Sequence, residues 1–155
     1  MLQSTALRIF LPFIALAFVT TLQAVAQDAP EYLISGQGTR ILEGANGLTI
    51  KILVEETNLG GSEVEVAEIT FPGKSPGGDH VHGTHEIFYV LSGTMEHIVN
   101  GESAILEPGM IGIVRKGDTV SHKILSDEPV KALVICAPGG EADRLAQFFT
   151  VKPIE

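Results

Sequence analysis

Asp79-His80-Val81-His82-Gly83-Thr84-His85-Glu86-Ile87-Phe88-Tyr89-Val90-Leu91-Ser92-Gly93 is the stretch on which the reading of this chain turns. In an extended segment successive side chains point to opposite faces, so His80, His82, Glu86, Phe88 and Val90 share one face. Phe88 and Val90 belong in a core, and the two imidazoles and the carboxylate are expected to turn inward with them. Such groups are costly to bury alone, and a divalent ion would compensate them. His80, His82 and Glu86 therefore read as metal ligands, with imidazole and carboxylate donors suited to a first-row transition metal. A neighbouring strand facing the same cavity should supply a fourth ligand. His122, in Ser121-His122-Lys123-Ile124-Leu125, is the expected one. His85 and Tyr89 have the opposite parity and are expected to point away.

Working outward, short runs rich in Val, Ile, Thr, Phe and Tyr recur between Gly, Pro, Asn and Asp, the pattern of an all-β sandwich or barrel. Candidate strands are Tyr32 to Ser35, Thr39 to Glu43, Leu48 to Glu55, Val64 to Phe71, His80 to Leu91, Thr94 to Val99, Ser103 to Leu106, Ile111 to Val114, Ser121 to Leu125 and Lys131 to Cys136. Asn46-Gly47, Gly60-Gly61, Pro76-Gly77-Gly78, Ser92-Gly93, Asn100-Gly101, Pro108-Gly109, Lys116-Gly117-Asp118 and Asp127-Glu128-Pro129 read as hairpin turns. Residues 140–149 form the one candidate helix, with Leu145, Phe148 and Phe149 spaced to pack on the barrel. A two-residue turn at Ser92-Gly93 would set Phe88 opposite His97 and place Met95, His97 and Val99 along the cavity. The expected pocket lining is thus Phe88, Val90, Met95, His97 and Ile124. Phe71, Phe88, Leu91, Ile113, Ile124 and Val134 are the core candidates.

The chain has 155 residues, enough for one domain with a sizeable core, and a net charge of −9. That acidity argues against a nucleic-acid partner. Residues 1–26 hold one base, Arg8, no acid, an apolar run from Ile9 to Val19 and the small-residue pattern Ala24-Val25-Ala26. They read as a secretory signal peptide cut after Ala26, leaving 27–155 as the domain and a periplasmic or secreted location. The run is too short and too broken for a spanning helix, so no stable membrane insertion is expected after cleavage. Cys136, the only cysteine, reads as a small buried hydrophobe.

The histidine-rich stretch resembles the first motif of the cupin superfamily, G-x5-H-x-H-x3,4-E-x6-G, running from Gly73 or Gly77 through His80, His82 and Glu86 to Gly93. The second motif, G-x5-P-x-G-x2-H-x3-N, is matched at Gly109 and Gly117. Arg115 stands in the proline position, His122 arrives two residues late, and Ser126 lies near the asparagine position. Residues 129–140 also resemble small single-domain cupins of the quercetin-dioxygenase-like group. The resemblance implies a double-stranded β-helix, or jelly-roll barrel, often dimeric, with three histidines and a glutamate on an iron, manganese, nickel, copper or zinc ion. It implies an enzyme acting on a small organic molecule, with dioxygenase-like oxidation ahead of isomerase or lyase chemistry and Glu86 available for proton transfer. The alternative is a metal-bearing small-molecule binding or sensor module without turnover.

Overall fold

The computed structural model describes residues 34–154, so residues 1–26, expected to be a signal peptide, lie outside the described residues. Alternation of branched apolar and polar residues produces most of the strands. Those before the histidine stretch are β1 (Arg40–Glu43), β2 (Thr49–Val54) and β3 (Glu65–Phe71). The stretch itself forms β4 (His80–Val81) and β5 (His85–Ser92). After it come β6 (Met95–Val99), β7 (Glu102–Leu106), β8 (Ile111–Val114), β9 (Thr119–Ile124), β10 (Val130–Ala137) and β11 (Thr150–Pro153). Two short helices complete the described residues, α1 (Glu56–Leu59) and α2 (Glu141–Leu145).

The strands form a seven-stranded sheet in the order β11-β1-β2-β3-β10-β5-β8 and a four-stranded sheet in the order β4-β9-β6-β7. Every pairing is antiparallel. From β3 onward the chain passes repeatedly from one sheet to the other, which is the jelly-roll architecture expected from the sequence. Between the sheets lies a core that includes Leu42, Ile52, Phe88, Val90, Met95 and Ile124.

Several local expectations are corrected. His80 to Leu91 is not one strand: the ladder breaks at residues 82–84, and β4 and β5 belong to different sheets. Only Asn46-Gly47, Gly60-Gly61 and Asn100-Gly101 join strands that pair with each other. The other five turns carry the chain between sheets, so β5 and β6 do not form the hairpin expected at Ser92-Gly93. Turn residues reveal a reversal but not the sheet the chain enters next. Leu91 and Ile113 are 44% and 60% exposed, because β5 and β8 turn them to the outer face. Ile34 and Ser35 lie in a bend rather than a strand, and Tyr32 falls outside the described residues. The candidate helix is only one short turn of α2, after which Phe148 is 75% exposed while Leu145 and Phe149 pack on the core. Strand β11, not expected from the sequence, pairs with β1.

One glycine positions the site directly. Gly77 has φ +75, and a Cβ there would stand 2.4 Å from the His122 carbonyl oxygen, so the loop before His80 lies against β9 only because no side chain intervenes. Ile124 N donates to the Ser75 carbonyl oxygen at 2.8 Å and ties that loop down.

Leu42 is fully buried. Leu42→Ala is expected to lower unfolding stability by about 2–5 kcal/mol in urea denaturation. A loss below about 0.5 kcal/mol would remove Leu42 from the core.

Candidate metal centre and its cavity

The short pairing of β4 with β9 aligns His80 with Val120, which brings the start of the histidine stretch beside His122. His82 follows β4 in the break, and Glu86 lies on β5 in the opposite sheet. Inward parity survives the break: His82, Thr84, Glu86, Phe88 and Val90 are all buried and the residues between them exposed. His80 departs from this by standing exposed at the mouth.

The four expected ligands are brought to one region. The His80 ring centroid lies 4.8 Å from that of His82 and 5.7 Å from that of His122. His82 Nε2 is 3.2 Å from Glu86 Oε2. His122 is packed against Phe88 at 4.3 Å and Phe71 at 5.6 Å.

The hydrogen bonds of two rings decide which nitrogen is free. His80 Nδ1 lies 2.9 Å from the Gly78 carbonyl, which can only accept, so Nδ1 must donate. His82 Nδ1 likewise donates to Glu141 Oε1 at 2.7 Å. In neutral His80 and His82 the lone pair is therefore on Nε2, the form in which a histidine binds a metal when its other nitrogen is held by a second partner.

Burial sets the charges. It pushes the Glu86 carboxyl up to about 7. It carries the His122 imidazole well below its ordinary range, helped by the neighbouring imidazoles of His97, His80 and His82, and it lowers His80 and His97 as well. For His82 burial opposes the charged form, but Glu141 and Glu86 prevail and raise it. Burial also opposes charge on Glu141, yet hydrogen bonds from His82 and Arg144 hold it down to about 2. Cys136 is pushed up to about 12 by burial and is a thiol, in keeping with its reading as a small hydrophobe.

His82 Nε2, Glu86 Oε2 and His122 Nε2 are buried without hydrogen-bond partners. Stranding such atoms costs about 1–3 kcal/mol each, and a coordinated ion would satisfy all three. By donor chemistry the set fits a transition metal. As the side chains stand, no group of three or more His, Cys, Asp or Glu among the described residues is gathered closely enough to hold an ion, so coordination would require side-chain adjustment.

These groups open onto a cavity of about 320 Å3. Its walls are mostly apolar, from Ile50, Ile52, Ile69, Phe71, Leu145 and Phe149 among others, and Cys136, Glu141 and Arg144 also reach it. Of the expected lining only Phe88 is on this wall. Val90, Met95 and Ile124 are packed in the core instead, because the sheets close over them. His97 is buried with both ring nitrogens unpartnered and stacks on His122 at 5.1 Å, behind the cavity wall. It comes within 6.1 Å of Phe88, as expected, but across the sandwich and through the pairing of β6 with β9. His85 is exposed and accepts from Lys116 N, and Tyr89 faces outward, both as expected. The walls from β2 and α2, and the partner Glu141, had no counterpart in the sequence reading. Glu141 and Arg144 look there like ordinary helix charges, and no local pattern ties them to His82.

Residues 67–136 match the family model for the cupin domain. A solved RmlC-like cupin from Shewanella frigidimarina is similar over 73% of this chain and 96% of its own, with 20% identity and a TM-score of 0.60. KdgF from Halomonas sp. is similar over 66% and 89%, with 19% identity and a TM-score of 0.55. A predicted oxalate decarboxylase from Thermotoga maritima is similar over 65% and 92%, with 19% identity and a TM-score of 0.54. No curated protein matches. At these identities the likeness concerns the fold, and together with the matched domain it supports the cupin superfamily.

The raised Glu86 pKa has a consequence for the metal-free protein. The folded carboxyl titrates near 7 against 4.5 when unfolded, so its contribution to stability is full below about pH 4.5 and is lost as pH rises through 7. Glu86→Gln removes that loss. The variant should gain on the order of 1–3 kcal/mol over the parent at alkaline pH and almost nothing in acid, as read by urea unfolding. An equal difference at both pH values would show that Glu86 is not protonated by burial.

Proposed function

We propose that this cupin-domain chain is an exported, metal-dependent enzyme acting on a small, largely apolar organic molecule, with dioxygen-dependent oxidation favoured over isomerase or lyase chemistry. The observation that carries this reading is the set of buried, unpartnered donors, His82 Nε2, Glu86 Oε2 and His122 Nε2, beside an apolar cavity. With His80 they would hold an iron, manganese, nickel, copper or zinc ion. When bound, such an ion supplies Lewis acidity and, if redox-active, a place where dioxygen and a chelating substrate meet.

The protein's own residues do the rest. His80 and His82 present Nε2 because their Nδ1 protons are engaged. Glu86, with its carboxyl near neutrality, is the residue to move a proton at Oε2. Phe71, Ile69 and Phe149 exclude water from the reacting molecule. Arg144, the only Lys or Arg among the described residues lining the cavity, is committed to Glu141, so the cavity favours a largely apolar compound over a polyanion. A binding or sensor role rests on the same apolar cavity, which would retain such a molecule unchanged.

Export rests on residues 1–26 and would give a mature chain beginning at Gln27. A second copy of the chain is the partner favoured by the outer sheet face, where Ile87 pairs with Ile113 and Tyr89 with Ile111, all exposed. Among the described residues no helix is long and apolar enough to cross a membrane.

Elemental analysis of protein purified from its exported compartment should find a divalent transition metal. Glu86→Ala and His122→Ala should each lower occupancy, and full occupancy in both would refute the ligand assignment. With the metal restored, oxygen consumption in the presence of flavonols or diketones supports the oxidative reading. Tight retention of such a compound at unchanged mass favours the binding module instead. For the assembly, Ile113→Glu should convert a dimer to a monomer in sedimentation, while a parent chain that is already monomeric would dismiss the interface.

A further inference from the structure

Glu141 is 3% exposed, and it reaches the site from α2, beyond the segment matched by the cupin-domain model. Its Oε1 accepts from His82 Nδ1 at 2.7 Å and from Arg144 Nε at 2.9 Å. A buried acid could be explained by the Arg144 pairing alone, which would make it an element of helix packing. Three features argue for more. Glu141 lies between the two sequence partners His82 and Arg144 rather than facing solvent with the arginine, and the His82 side chain is itself 5% exposed. The free nitrogen of that ring, Nε2, has no hydrogen-bond partner and points to within 3.2 Å of Glu86 Oε2. The start of α2 is also fixed from below: the Glu65 carboxylate on β3 accepts from Gly140 N at 3.1 Å and Ala142 N at 2.9 Å, on either side of Glu141.

We propose that Glu141 is a positioning residue for His82: by accepting the Nδ1 proton it fixes the ring in the tautomer and orientation that turn a bare Nε2 toward Glu86. The proposal rests on the reading of His82 as a metal ligand. A carboxylate on the far nitrogen also raises the basicity of the ligating one, and losing such a supporting partner generally weakens metal binding by about 10–100-fold. Glu65 and the turn at Gly140 hold the carboxylate in place, so the orientation of His82 depends on where α2 docks. Leu145, on the same helix, stands on the cavity wall, so the segment that shapes the substrate space also aims the ligand.

The test compares the full mature chain, stripped of metal, with Glu141→Leu and Glu141→Gln. Leucine has similar volume and cannot accept a hydrogen bond, whereas the glutamine amide oxygen can accept the same one. Titration with Zn2+ alone should show binding weakened about 10–100-fold in Glu141→Leu and mostly recovered in Glu141→Gln. Long-range 15N NMR of the metal-free proteins, at alkaline pH where the ring is neutral, should show His82 protonated at Nδ1 in the parent and in Glu141→Gln. In Glu141→Leu it should show a mixture or the Nε2 form. A folded Glu141→Leu protein with parental Zn2+ affinity and an unchanged tautomer would overturn the proposal. So would a Glu141→Gln protein as impaired as the leucine variant, since that result would assign the effect to charge rather than to the bond. Should Glu141→Leu not fold, Glu141→Asp, which withdraws the carboxylate by one methylene, carries the same comparison. If the parent chain itself binds no Zn2+, the metal reading fails, while the tautomer comparison still decides the role of Glu141.

Discussion

Burial at every second residue from His82 to Val90, kept up across a break in the strand, is the constraint on which the site depends. At Gly83 the backbone leaves the four-stranded sheet for the seven-stranded one, and a change of phase there would have turned Glu86 and Phe88 to solvent together. Because the phase is preserved, one short segment supplies donors from both sheets. His80 begins β4 and His82 follows it in the break, Glu86 comes from the inner face of β5, and His122 stands on β9 beside β4. The candidate metal centre is therefore at the seam of the sandwich, where groups held by different sheets can approach one another without sharing a ladder.

Placing these donors inside an apolar sandwich carries an electrostatic cost that the metal-free protein meets by neutralisation. Burial moves Glu86 toward its protonated form and His122 toward its uncharged form, so it works against charge on two groups that could otherwise carry opposite signs. An ion would reverse only one of these preferences. The neutral His122 imidazole is already in the form that would bind a metal, whereas Glu86, and His82 where Glu141 and Glu86 favour its charged form, would first have to release a proton. Were an ion to bind there, its loading and the protonation of Glu86 would compete. Glu141 is the contrasting case: equally hidden from solvent, it stays charged because His82 and Arg144 both donate to it.

What was legible in the sequence follows from what alternation encodes. Period-two patterning identifies residues that share a face, and it correctly grouped His82, Glu86, Phe88 and Val90 and sent His85 and Tyr89 the other way. It does not say which strand lies across. Hence His97 was expected near Phe88 by a hairpin that does not form, and it arrives there across the sandwich on a strand paired with β9. Nor does patterning distinguish a side chain packed between sheets from one on a cavity wall: Val90, Met95 and Ile124 have the right parity but are covered by neighbours. Leu91 and Ile113 show the opposite limit, since apolar residues on the outer face of β5 and β8 look locally like core. The Glu141 to His82 bond joins residues 59 apart, and it depends on where α2 docks, which no local pattern specifies.

The separation of chemistry from shape along the chain follows from the same topology. The expected metal ligands all lie within the segment matched by the cupin-domain model, on or just beside strands of both sheets. Much of the cavity wall lies outside it: Ile50 and Ile52 come from β2, and Leu145, Phe148 and Phe149 from α2 and the turn after it. Substitutions on β2 or around α2 can therefore reshape the space available to a small molecule without touching a donor atom. Motif resemblance in such a chain speaks to the kind of ion that can be held, and the nature of the bound molecule has to be argued from walls that the motifs do not contain. Glu141 is the exception that links the two, because it stands on the wall-forming helix and holds a residue of the motif.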